Sequence, residues 1–169
     1  SKQETTTALT GHDAETVILC TTSLRGKQHN DNTASTHHVA AGTNSGRDAK
    51  AVIGGKARTI HKGLVDIGDE AKNAEGYQQE DVIITDEGAE ADTIPQLEIK
   101  NHEVQCSHGS TIGNIDEEQL FYIRSRGMSD EEARALITKG FLASITNHIQ
   151  DDKWKEHITS ILAPREEER

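Results

Sequence analysis

Residues 53–71 read IGGKARTIHKGLVDIGDEA. The stretch opens and closes on related pentads, because Ile53-Gly54-Gly55-Lys56-Ala57 resembles Ile67-Gly68-Asp69-Glu70-Ala71 fourteen residues later. Working outward, Val39-Ala40-Ala41-Gly42-Thr43 precedes the first pentad by another fourteen residues. Further apolar points follow at Ile84 and Ile99, after 17 and 15 residues. A longer echo matches Ala57-Arg58-Thr59-Ile60 to Ala91-Asp92-Thr93-Ile94 at an offset of 34, and Leu64 to Leu97 at 33. The short unit reads as one strand plus its turn, and two units as one coil of a flattened helix of strands. Repetition at a fixed period marks a solenoid, here of roughly three coils of ~30 residues.

The local chemistry agrees. Short β-branched runs recur at Thr16–Leu19, Ala51–Ile53, Leu64–Ile67, Val82–Thr85 and Leu97–Ile99. Gly, Asn, Asp and Lys separate them, as turns should separate strands. Apolar residues are 33 % of the 169-residue chain and aromatics only 3 %. A core must therefore be built from Ala, Val, Ile, Leu and Gly, which suits the narrow aliphatic interior of a repetitive β-architecture.

After residue 112 the pattern changes. Asp116-Glu117-Glu118-Gln119 starts a short helix carrying Leu120, Phe121 and Ile123, and Gly127 stops it. Ser129-Asp130-Glu131-Glu132 is a second capping box. Behind it Ala133, Leu136, Ile137, Gly140 and Phe141 fall on one helical face, predicting a helix from Asp130 to about Ile149 that buries Ala133, Leu136, Ile137 and Phe141. A third stretch sets Trp154, Ile158, Ile161 and Leu162 on one side, ahead of Pro164 and an acidic tail. The expected organisation is a parallel β-helix core over 1–112 and a small α-helical subdomain over 113–169.

The net charge of −11 argues against a nucleic-acid backbone or an anionic membrane as partner. No run approaches the ~18 apolar residues of a membrane span, and no signal peptide opens the chain. Two cysteines, Cys20 and Cys106, fit a reducing cytoplasm better than a disulfide framework.

Cys106 and His108 sit in QCSHGSTIGNID, residues 105–116. On a strand, positions i and i+2 share a face, so thiol and imidazole can lie side by side. Three readings follow. A nucleophilic Cys–His dyad is possible in type, but no third orienting group or oxyanion donor is identifiable. Thiolate and imidazole are usual ligands of zinc and iron–sulfur clusters, yet this pair supplies two ligands at most, so a site needs a partner subunit. The third reading is a buried Cys106 beside a His108-Gly109 turn. A hexapeptide acyltransferase solenoid is disfavoured, because fourteen is not a multiple of six. His37-His38 would point to opposite faces and chelate poorly. His29, His61 and His102 are expected in turns or on exposed strand faces, and Cys20 as a small interior hydrophobe.

TIPQLEI followed by VQCSHGSTIGNIDEEQLFYIRSRGMSDEEARALITKGF strongly resembles the C-terminal signature of the SufB/SufD family, scaffold proteins of the SUF iron–sulfur cluster assembly system. ARTIHKGLVDI, AKNAEGYQQEDVIITDEGAEADTIP and the segment around His38 also resemble its core. The resemblance implies a right-handed parallel β-helix with a helical C-terminal subdomain. It implies a non-enzymatic scaffold that pairs with a homologous SufB/SufD-type subunit and docks a SufC-type ATPase at its helical end. Separately, an open β-helix end exposes unpaired strand N–H and C=O groups, which predicts a homodimer in isolation through the last coil, with strands near residues 97–108 at the joint. The resemblance also implies a transient iron–sulfur cluster at the subunit interface, with His108 as a ligand and Cys106 beside it. Where the SufB side of the family carries an implicated cysteine, in YQQEDVII, this chain has Glu80. The SufB side also typically has a different, glutamate-bearing sequence where this chain reads QCSHG, so the chain resembles the SufD side at both positions. A contrasting expectation is a purely structural subunit that binds no metal and only mediates SufC-linked interactions.

Overall fold

The structure is a computed structural model describing residues 1–162. Eight strands run in order: β1 (Lys2–Leu9), β2 (Glu15–Leu24), β3 (His29–His38), β4 (Asn44–Ile53), β5 (Arg58–Ile67), β6 (Glu75–Ile84), β7 (Glu90–Ile99) and β8 (Gln105–Asn114). Odd strands form one four-stranded sheet and even strands the other. Every pairing is parallel. Successive strands alternate between the two sheets, giving a mainly β solenoid of about four turns rather than three.

The longer echo in the sequence is slightly out of step with the true register. Ile60 stands opposite Asp92, not Ile94, and Leu97 stands opposite Val65, not Leu64. The shorter echo slips similarly at its N-terminal end. His38, not Val39, closes β3 as Ile53 closes β4, and Val39 is exposed.

Inward positions alternate with outward ones along each strand, as the pleat demands. In β5, Thr59, His61, Gly63, Val65 and Ile67 are all buried. Ala51, Ile53, Val82 and Ala89 form one apolar cluster, and Val65, Ile67, Ala71 and Ala74 another. Ile53 and Ile67 are fully enclosed, each contributing on the order of 1.5–3 kcal/mol by leaving water. The strands extend well beyond their aliphatic ends because the rest of the interior is polar. β3, HNDNTASTHH, buries Asn32, Ala34, Thr36 and His38. Turns stack as the strands do. Gly54 N–H donates to the Leu24 carbonyl at 2.9 Å, and Thr85 N–H to the Ile53 carbonyl at 2.9 Å. Gly55, at φ 68°, lies so close to Gly26 that a Cβ would come within 2.8 Å of its nitrogen. Only glycine meets both demands there.

After β8 come α1 (Glu117–Arg124), α2 (Asp130–Ala143), a 3₁₀ turn (Ser144–His148) and α3 (Asp152–Leu162). The Asp116 carboxylate caps α1 by accepting from the N–H groups of Glu118 and Gln119, and Ser129 with Glu132 closes a reciprocal capping box on α2. The second helix stops at Ala143 and tightens into the 3₁₀ turn rather than continuing to Ile149, and at that end the Ser144 hydroxyl donates to the Phe141 carbonyl at 2.7 Å. Ala133 is buried, but Leu136 is 49 % exposed, contrary to the expected face. The helices pack on the outward face of the even sheet through Ile83, so Ala133 and Leu142 take the innermost positions and Leu136 is rotated to the rim. Lys50 Nζ lies 5.0 Å from the Phe141 ring centroid, and His148 Nε2 lies 3.1 Å from Asp48 Oδ2, fastening the segment to β4. Pro164 and the acidic tail lie outside the described residues. No helix among the described residues is long and apolar enough to cross a membrane.

Candidate functional site

The two sheets end on β7 and β8, which have no strand beyond them among the described residues. Ile99 and Ile112 follow the inward alternation of buried Ile67 and Val82, yet they are 46 % and 43 % exposed. The last coil thus presents its interior and an unpaired backbone edge together, which is the condition that favours pairing with another chain.

Cys106 and His108 both lie on β8 and share its inward phase. Cys106 stands opposite Gly76 and packs on the Val65–Ile67–Ala71–Ala74 cluster. A Cβ at position 76 would lie 3.3 Å from its sulfur, so the missing side chain of Gly76 creates the space the thiol occupies. Burial pushes the Cys106 thiol above its usual pKa, with a hydrogen bond to the Gly76 backbone acting the other way. The thiol is therefore protonated near neutral pH and a poor nucleophile and metal ligand. His108 stands opposite Gln78, one rung above it, and is exposed. A cavity of about 530 Å³ opens beside this end, lined by residues that include Ser45, Gly76, Tyr77, Val104 and Cys106.

Glu80 lies beneath Ser110 in the same sheet and is fully buried. It pairs with the guanidinium of Arg47, itself only 5 % exposed. His61 reaches into the interior from the odd sheet and is fully buried, which corrects the expectation of an exposed or turn position. Its parity with Val65 and Ile67 on one strand is the signal that places it inside. Burial and the nearby Arg47 charge lower its pKa to about 4, so it is neutral at pH 7. Arg47, His61, Gln78 and Glu80 form a polar stratum that strand parity could have indicated and residue type alone did not.

The other histidines divide as their spacing implied. His37 faces out and holds Asp66 Oδ2 at 3.0 Å from its Nδ1. That hydrogen bond is the main cause holding the Asp66 carboxyl below its usual range. His38 faces in, with Nδ1 2.8 Å from Thr43 Oγ1 and Nε2 2.7 Å from Ser45 Oγ. His29 and His102 are exposed. Cys20 is partly buried on β2 and accepts from Asn32 Nδ2 at 3.4 Å. Among the described residues no group of three or more His, Cys, Asp or Glu side chains is arranged to hold a metal ion. The open rung offers one available imidazole and one packed thiol. That donor set is not a complete site, since common clusters take four ligands.

Known proteins resemble most of the chain, through the solenoid and into α2. The family described as SUF system FeS cluster assembly, SufBD core domain, matches residues 1–141. The chain is 35 % identical over 122 residues to the iron-sulfur cluster assembly protein SufD of Escherichia coli (strain K12), covering 72 % of this chain and 29 % of that protein. It is 35 % identical over 127 residues to the iron-sulfur cluster assembly protein SufB of Bacillus subtilis (strain 168), covering 75 % of this chain and 27 % of that protein. It is 31 % identical over 141 residues to an iron-sulfur cluster assembly SufBD family protein of Mycobacterium bovis, covering 83 % of this chain and 17 % of that protein. The matched region spans less than a third of each of these relatives.

Proposed function

The chain belongs to the SufB/SufD family of the SUF iron–sulfur cluster assembly system, and from that premise we propose that it serves as a non-enzymatic scaffold subunit on which a cluster is built as cargo. The observation that carries the reading is His108, exposed on the last strand of an open solenoid end. The unpaired edges of β7 and β8 dock a homologous subunit. The imidazole of His108 then completes a site begun by ligands of that subunit, as a nitrogen donor suited to iron. Cys106 forms the packed floor beside it. The cluster is held by the assembled complex and weakly or not at all by this chain alone.

The helical end docks a SufC-type ATPase in this reading. Phe121, Tyr122, Leu136, Trp154 and Ile161 are all exposed there, and the SufBD family match extends through most of α2. In isolation the open end pairs with a second copy, which light scattering reports as a mass that rises with concentration.

The test is anaerobic reconstitution of the chain co-expressed with a SufB partner, followed by visible absorption. His108→Ala is expected to lose the cluster bands while Cys106→Ala retains them. Full cluster loading of the His108→Ala complex would falsify the assignment and leave a purely structural subunit.

A further inference from the structure

The polar stratum inside the solenoid has more hydrogen-bonding capacity than the protein itself satisfies. Arg47, His61, Gln78 and Glu80 are 5 %, 0 %, 1 % and 0 % exposed. Arg47 Nη1 donates to Glu80 Oε1, and Gln78 Nε2 donates to the Gln96 carbonyl at 2.9 Å. Arg47 Nε and Nη2, both ring nitrogens of His61, Gln78 Oε1 and Glu80 Oε2 have no protein hydrogen-bond partner among the described residues. An orphaned buried polar atom costs about 1–3 kcal/mol, and more when charged. Six within one stratum is far from the rule that buried polar groups are paired.

The stratum is built to hold these groups together. Gly63 of β5 faces Arg47, Gln78 and Glu80 from the opposite sheet. A Cβ there would lie 2.2 Å from Gln78 Oε1, 3.0 Å from Arg47 Nη1 and 3.1 Å from Glu80 Oε1. Register places Arg47 opposite Gln78, and Gln78 opposite His108. It places Glu80 opposite Ser110, and His61 opposite Thr93. The polar columns of both sheets therefore run from the interior to the open rung.

The unused groups decide what can bind. A cation would meet the Arg47 guanidinium and an anion the Glu80 carboxylate, and the pair is neutral as a unit. Arg47 supplies donors, Gln78 and Glu80 supply acceptors, and a neutral imidazole supplies one of each. Only a small neutral molecule that both donates and accepts answers this inventory.

We propose that Arg47, His61, Gln78 and Glu80 form an internal hydration site, holding a cluster of ordered water molecules between the two sheets just beneath the rung that carries His108. Each water bridges two or more of the orphaned atoms, as buried waters do. The site gives the open end a hydrated polar floor, with Gln78 Oε1 and Glu80 Oε2 below His108 and Ser110. It stands on the buried geometry and the neutral His61 imidazole, and does not depend on the cluster reading.

Water–protein cross-relaxation NMR on the isotope-labelled chain tests the site. Cross-peaks with the sign of long-lived bound water are expected from the Arg47 Nε proton and the His61 ring protons. In the double variant Arg47→Met with Glu80→Leu, which replaces the pair with apolar groups of similar size, the His61 cross-peaks should weaken several-fold. If they persist unchanged in the folded variant, the four-residue site is overturned. Should that variant not fold, the wild-type chain still decides. Long-lived water at Arg47 and His61 supports the site, and a dry interior in both the spectrum and a high-resolution crystal structure overturns it.

Discussion

Cys106 occupies space that Gly76 leaves empty one rung below it. A Cβ at position 76 would come within 2.9 Å of Val65 Cγ1 and 3.3 Å of Cys106 Sγ. Both contacts belong to the apolar cluster that closes the last two coils. Gly76→Ala should therefore destabilise the chain by about 1–3 kcal/mol through overpacking. Denaturant unfolding followed by far-UV circular dichroism measures this. Relief of much of the loss by Cys106→Gly in the same background would identify the thiol as the neighbour that is crowded. An unchanged midpoint for Gly76→Ala would refute the packing account.

The neutral state of His61 makes stability depend on pH. Its pKa falls from 6.5 to about 4 on folding. Between those values the unfolded chain binds a proton that the folded chain does not, so stability is complete above pH 6.5 and declines as pH falls toward 4. The gap corresponds to about 3 kcal/mol. His38 is lowered in the same direction by burial, against the opposing Thr43 hydrogen bond, and adds to the slope. Stability measured across this window should fall less steeply in His61→Gln than in the wild-type chain. Equal slopes would mean that His61 is not the neutral buried group described here.

Glu80→Leu removes one half of a buried ion pair and leaves the Arg47 guanidinium without its partner. The expected loss is about 3–5 kcal/mol. Adding Arg47→Met should recover a large part of it, because a matched apolar pair carries no unpaired charge. A double-mutant cycle reads the coupling directly. Additive losses would show that the two side chains do not act as a pair.

Under the proposed docking of a SufC-type ATPase, Leu136 and Trp154 are surface contacts and not core. They are 49 % and 62 % exposed. Leu136→Ala with Trp154→Ala should therefore abolish capture of the ATPase in a pull-down while shifting the circular-dichroism unfolding midpoint little. Undiminished capture would place the docking surface elsewhere.

The sequence shows the solenoid most clearly where a strand ends in aliphatic residues before a glycine turn, as at Ile53 and Ile67. It hides β3, whose buried positions are Asn32, Ala34, Thr36 and His38. Polarity there looks like a loop until parity with neighbouring strands is imposed. The repeat offsets missed the true register by one or two residues because similar pentads recur in turns, while the hydrogen-bonded ladder fixes the pairing. The helix caps were legible because capping is local chemistry. The exposure of Leu136 was not, because helix rotation is set by the sheet face beneath it. At the candidate site, the shared face of Cys106 and His108 follows from spacing alone. Glycine at position 76, and hence the burial of the thiol, matters only once two strands are laid side by side.

The single tryptophan of the chain, Trp154, lies on α3 and is largely exposed, with the His157 ring edge-on at 5.9 Å. The solenoid strands contain no tryptophan, and their one tyrosine, Tyr77, points outward and is half exposed. Tryptophan fluorescence, excited where tyrosine does not absorb, is therefore blind to the coils. It reports the helical end and responds to anything that covers it, while the backbone signal of the strands follows the interior. Disagreement between the two optical signals would locate an event at one end of the molecule, and the chain carries that label without any dye.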